Sequence, residues 1–149
     1  MHLSRTNPDY PPEHFLNREL TLLQFQRRVL AQAADPTVPL LERLRFLCIV
    51  SSNLDEFFEI RVSGIKEQIR IGSRKSGEDG IAPAELLERV SDEVHEIIFE
   101  QYQLLNADIL PALEKEGVVF LRRSLWSEAQ RVWIHDYFMR EVMPVLTPI

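Results

Sequence analysis

The sequence predicts a mainly α protein, an N-terminal antiparallel helical bundle followed by the opening strand-helix unit of an α/β domain. Three observations carry that expectation. Apolar residues recur at three- and four-residue spacing along most of the stretch from Leu22 to Leu105, which is the signature of helices with one buried face. Helix-breaking prolines and glycines gather between these periodic stretches, in "ADPTVP", "GSRKSGEDGIAP" and the region of Pro111 to Gly117. After Gly117 the pattern changes, because "VVFLRR" is β-branched and apolar and reads as a short strand.

Residues 1–14 read as a flexible leader, since prolines at 8, 11 and 12 oppose a helix there. The helical domain is expected over 15–116. Asn17 makes a good N-cap for the first helix, with Glu19 in its first turn. Leu22, Phe25, Gln26, Val29, Leu30 and Ala33 then follow the helical pattern. A second helix is expected over 39–50, apolar nearly all round in its last turns and so buried there. At "SSN" the helix either breaks or is capped anew; Ser52 with Asp55, and Asn53 with Glu56, have capping-box spacing.

A third helix carries Leu54, Phe58, Val62, Ile65 and Ile69 as its stripe and ends near Gly72. The charged, glycine-rich loop that follows reads as mobile. Pro83 opens a long helix that Pro111 and Gly117 finish. Residues 117–149 read as the truncated start of an α/β domain. There "SEAQ" is a capping box that opens a helix, Pro144 ends it, and "VLTPI" begins a second buried strand.

Composition narrows the function classes. The chain has 149 residues, 45% of them hydrophobic and 27% charged, which suits one globular domain and part of another. The longest unbroken apolar run, "FLCIV", is far short of a membrane span. The polar, proline-rich start lacks the apolar core of a signal peptide. Cys48 is the sole cysteine, lies in an apolar run and is expected to be buried and inert. These features predict a cytoplasmic protein without a transmembrane segment. The net charge of −6 argues against a general nucleic-acid binder. The charge is unevenly spread, however. Residues 61–75 carry a net +4 through Arg61, Lys66, Arg70, Arg74 and Lys75 against Glu67, whereas 78–116 carry −9. Either both stretches are solvated helix faces, or the basic one faces a polyanion while the acidic helix faces bulk water.

The chain holds no Walker-type phosphate loop and no dinucleotide fingerprint. "HEIIF" begins like a zinc-protease helix, but Phe99 stands where the second histidine belongs. His2, His14, His95 and His135 have no ligand spacing. Taken alone, the residues describe a helical bundle with an unusual cap at 51–53 and no catalytic group.

Residues 16–68 also resemble the opening of a bacterial polyphosphate kinase of the histidine-phosphorylating type. The resemblance rests on "NREL", "LQF", "RVL", the spaced "DP" and "PLLERL", "SSNLDEFF", and the Arg61–Val62, Gly64, Lys66 pattern. That family often has an aromatic residue where Leu22 stands. "FLRR", "YF" and "VMPVLTPI" resemble the start of its next, head domain.

The resemblance implies an enzyme that reversibly moves the terminal phosphoryl group of ATP onto inorganic polyphosphate, with magnesium and a phosphohistidine. It implies a homo-oligomer. The phosphorylated histidine and the metal ligands of that family lie in C-terminal domains outside this sequence. This chain alone is therefore expected to have no catalytic residue, no tightly bound cofactor and no activity. One family position carries over: the asparagine of "NLDEF" contacts ATP and matches Asn53. Arg61, two turns further on, is a candidate contact for an anionic ligand, or else a partner of Asp55 or Glu56. A reading from another class is a helical interaction module with no nucleotide role. Asn53 separates the two, because a scaffold needs only a cap there whereas a nucleotide site needs an amide that donates and accepts at once.

Overall fold

The computed structural model describes residues 10–73 and 76–146. The expected second half of the basic stretch, Arg74 and Lys75, lies outside them, as do residues 1–9 and 147–149 of the expected leader and final strand. The chain divides into two units between Leu113 and Glu114.

Helix α1 spans Arg18–Ala34 and starts where Asn17 was expected to cap it; the Asn17 side chain accepts from the Leu20 N–H at 3.0 Å. The same side chain donates to Asp79 at 2.6 Å. Asp79 in turn accepts from the Ile81 N–H, so this part of the expected mobile loop is tied down by hydrogen bonds. Nearby, Pro12–His14 form one 3-10 turn where the sequence predicted only leader. Pro12 opens it, where the missing N–H is no loss.

Helix α2 spans Leu40–Phe57 and passes into a π turn, Phe58–Val62, and then into α3, Ser63–Arg70, without leaving helical geometry. The expected break or new cap at "SSN" is therefore absent. The apolar stripe explains why: Leu47, Val50, Leu54 and Phe57 are all buried and keep helical phase straight through the polar step. The expected stripe through Phe58 and Ile69 also shifts. Phe58 is exposed, and Phe57 is the buried residue. From Phe57 to Val62 is one residue more than a helical repeat, and the wide π turn absorbs it so that both stay on the inner face. The Ser63 hydroxyl donates back to the carbonyls of Glu59 and Ile60, which the π turn leaves off the regular ladder.

Helix α4 spans Pro83–Leu104 and continues through a second π turn, Leu105–Ile109, into α5, Leu110–Lys115. Pro111 thus lies inside the helix rather than ending it. It withdraws one N–H and crowds the carbonyl a turn before it, and the adjacent π turn accommodates both. Gly117, at φ +82°, ends the run.

The first unit is a three-helix bundle. Arg43 reaches Ala33 and Asn53 reaches Gln26, so α1 runs antiparallel to the 40–70 helix. Arg27 reaches Glu93 and Glu100, following the Asn17–Asp79 link, so α1 runs parallel to α4. Leu23, Ile97 and Ile109 are fully buried where the three meet; each such side chain contributes roughly 2–3 kcal/mol.

Cys48 does not join this core. It is exposed, because Leu47 and Val50 take the inward positions of its helical turn. The acidic helix does not face only water either. Glu93, Glu96 and Glu100 gather around Arg27 of α1. The hydrogen bond it donates to Glu93 holds that guanidinium charged more firmly than usual, against the opposing effect of its partial burial.

In the second unit α6 spans Glu128–Tyr137 and has the capping box read from "SEAQ": Ser127 accepts from the Gln130 N–H, and Gln130 accepts from the Ser127 N–H. It runs into a π turn, Phe138–Val142, and a 3-10 turn, Met143–Val145. The expected strand at 118–122 is not formed. No strand occurs among the described residues, so "VVFLRR" has no neighbour to take up its backbone groups. Val118, Val119, Phe120 and Leu121 are all exposed. Amides 118–122 should consequently exchange with solvent orders of magnitude faster than those of 90–97, as hydrogen exchange followed by mass spectrometry would read. Equal protection of the two stretches in the monomeric chain would contradict this arrangement.

Candidate functional site

The polar step at 51–53 is built into the middle of a helix, so its side chains do not cap it. They point to different neighbours. Ser51 accepts from Gln101 Nε2 of α4 at 2.7 Å, and the same nitrogen donates to the Leu47 carbonyl at 2.9 Å. Asn53, two residues on, points toward α1, where its Nδ2 donates to Gln26 Oε1 at 3.0 Å. Because the helix does not start here, no row of free backbone N–H groups stands beside Asn53 for it to cap.

Asn53 instead lines an open concavity of about 270 Å³ between α1 and the 40–70 helix. Leu22, Phe25, Phe57 and Ile60 supply apolar walls, and Gln26, Asn53, Glu56 and Arg61 supply the polar groups. Helical spacing makes this set. Asn53, Phe57 and Ile60 fall on one face, and the π turn at 58–62 carries Ile60 and Arg61 to the same concavity. Phe25 and Ile60 are about half exposed, so apolar surface rims the mouth. A few convergent polar groups among apolar walls suit a small planar ligand with a polar edge.

Arg61 is half-buried, and among the described residues it forms no ion pair. The expected alternative, a bond to Asp55 or Glu56, is not made. The two residues singled out from the sequence, Asn53 and Arg61, therefore line one concavity. Gln26 and Glu56 were not singled out for it. Gln26 had a signal: an amide on the otherwise apolar stripe of α1, now more than nine-tenths buried. Glu56 had none, because an acid near a supposed helix start looks like a dipole partner. Among the described residues no group of three or more His, Cys, Asp or Glu side chains is placed to hold a metal ion. No helix among the described residues is long and apolar enough to cross a membrane.

Residues 15–121 match the family described as polyphosphate kinase N-terminal domain. The chain is 52% identical over 134 residues to a polyphosphate kinase of Burkholderia multivorans, covering 90% of this chain and 20% of that protein. A polyphosphate kinase of Neisseria meningitidis is also 52% identical, with the same coverage. Among solved structures, the polyphosphate kinase of Porphyromonas gingivalis matches with a TM-score of 0.71 and 28% identity, over 94% of this chain and 19% of that one. The chain thus spans about a fifth of the length of the curated relatives it matches. The concavity, Asn53 and Arg61 all lie inside the matched span, and this chain belongs to the polyphosphate kinase N-terminal domain family.

Proposed function

We propose that this chain is the N-terminal portion of a polyphosphate kinase that reversibly transfers the terminal phosphoryl group of ATP to inorganic polyphosphate. Its own part is to help bind ATP, with Asn53 as the contact. The observation that carries this reading is the convergence of Asn53, Gln26 and Arg61 on one apolar-walled concavity. Phosphoryl transfer depends on positioning and charge neutralisation more than on many covalent partners. A helical domain that holds one end of the nucleotide therefore contributes without carrying a catalytic group. Glu56 shares the concavity and would repel a triphosphate, so the base or ribose is the part held here, with Arg61 toward the anionic end.

The phosphohistidine, the magnesium site and the homo-oligomer contacts belong, on this reading, to parts of the enzyme outside these residues, and the enzyme works in the cytoplasm. There, "VVFLRR" pairs as a strand in an α/β head domain, which would cover the apolar surface that it exposes alone. An interaction module without nucleotide function would need neither an amide nor an unpaired arginine in the concavity.

The test is Arg61→Gln in a full-length enzyme carrying this chain. The Michaelis constant for ATP or polyphosphate should rise about threefold, and more at low salt than at high, as expected for loss of a partly exposed charge contact. Kinetics unchanged at every ionic strength, with unchanged thermal stability, would remove Arg61 from the site.

A further inference from the structure

Gln26 is more than nine-tenths buried, and yet its one hydrogen bond among the described residues runs to another side-chain amide. A buried glutamine on an apolar helix face is an expensive choice if packing is all that is required. Leucine would fill the space and leave no polar atoms to satisfy. The bond that Gln26 makes has a directional consequence. Asn53 uses Nδ2 as donor to Gln26 Oε1. What remains unpartnered on the two amides among the described residues is Asn53 Oδ1, an acceptor, and Gln26 Nε2, a donor. Among the described residues no fully buried side-chain polar atom lacks a partner, and both residues line the concavity.

We propose that Gln26 is a positioning and specificity residue: it fixes the Asn53 amide so that the pair presents an acceptor beside a donor to the edge of a 6-aminopurine. The proposal rests on the nucleotide reading given above. A 6-aminopurine offers an N–H donor at its exocyclic amine beside a ring-nitrogen acceptor, which complements the pair. A 6-oxopurine offers the reverse order, an acceptor beside an N–H donor, and meets both amides wrongly. Discrimination of this kind comes from groups left unpaired with the wrong ligand rather than from added attraction to the right one. The walls agree with a flat base, since Phe25, Phe57 and Ile60 line the same concavity as the amide pair.

The experiment uses a full-length enzyme carrying this chain and compares ATP with inosine triphosphate, which has a 6-oxo group and a ring N–H where ATP has the 6-amino group and a bare ring nitrogen. For the parent enzyme kcat/KM should favour ATP by about tenfold, the scale of one well-made polar contact. Gln26→Leu should lower that ratio by about fivefold, mainly through KM for ATP, and the double variant Gln26→Leu/Asn53→Ala should be no worse than Asn53→Ala alone. Gln26→Glu keeps an acceptor for Asn53 Nδ2 at the same side-chain size but loses the Nε2 donor, so it should lower the preference for ATP as Gln26→Leu does, which also guards against a Leu variant that fails to fold.

Gln26→Leu with an unchanged ATP to inosine triphosphate ratio, or effects of Gln26→Leu and Asn53→Ala that simply multiply, would overturn the positioning role while leaving Asn53 as an ATP contact. Asn53→Ala with parental ATP kinetics would instead overturn the nucleotide reading itself, and this inference with it.

Discussion

Arg43→Met should lower the unfolding free energy of the helical unit by about 3 kcal/mol, as the shift of the urea midpoint followed by helical circular dichroism. Arg43 sits on α2 and, among the described residues, is one of three buried polar residues, with Gln26 and Gln101. Its Nε donates to the Ala33 carbonyl at 2.8 Å, in the last turn of α1, where a carbonyl has no partner within the helix. Its outer nitrogen pairs with Asp108 in the second π turn. One side chain thus fastens the end of α1 to both long helices. Methionine would replace much of the stem but none of the donors.

Two losses have to be weighed against each other. Asp108 is half exposed, so water can take over its carboxylate and the broken ion pair contributes little. The Ala33 carbonyl belongs to a fully buried residue, and leaving such a group unpaired costs about 1–3 kcal/mol. The lost cap therefore costs more than the lost ion pair, and imperfect filling of the space adds to it. A control follows from the same reasoning: Asp108→Asn should cost less than about 1 kcal/mol. Equal effects of the two substitutions, or an Arg43→Met midpoint within error of the parent, would show that the buried guanidinium does not hold the three helices together.

Arg43 also shows what was legible beforehand. The bundle could be read from Leu30, Ala33, Leu54, Val62 and Ile65, because apolar periodicity reports burial directly. The caps at Asn17 and Ser127 were legible too, since capping is a local bond between residues three apart. What failed was inference about termini from residue type. Ser51, Ser52 and Asn53 favour helix starts on average, but here tertiary bonds to Gln101 and Gln26 occupy two of them while the stripe continues beneath. Pro111 and the misread stripe at Phe58 share a cause, for a π turn shifts the helical phase by one residue and no short motif announces it. The site was half legible. Asn53 came from a resemblance, whereas Gln26 and Glu56 needed the packing of α1 against the 40–70 helix to appear.

Asn53→Ala should reduce kcat/KM for ATP in the full-length enzyme by about tenfold while leaving stability within about 1 kcal/mol of the parent. The sequence alone led to a different expectation, a loss of stability from a missing cap. The structure removes that cost, because Asn53 lies within α2 and caps nothing. Alanine gains about half a kcal/mol of helix propensity over asparagine at such a position. Against it stands one neutral hydrogen bond to Gln26, worth about 1 kcal/mol. Gln26 Oε1 then turns to water in the open concavity, so no orphaned acceptor is left behind. The two effects nearly cancel, and the fold has little reason of its own to hold an amide at this position. Asn53→Ser, which also lacks the amide, should fall with Asn53→Ala in ATP use. The decisive result is the pairing of the two measurements. ATP kinetics at parental values together with a stability loss above about 2 kcal/mol would make Asn53 a structural residue. A tenfold kinetic loss on an unchanged fold would leave nucleotide binding as the reason for the amide.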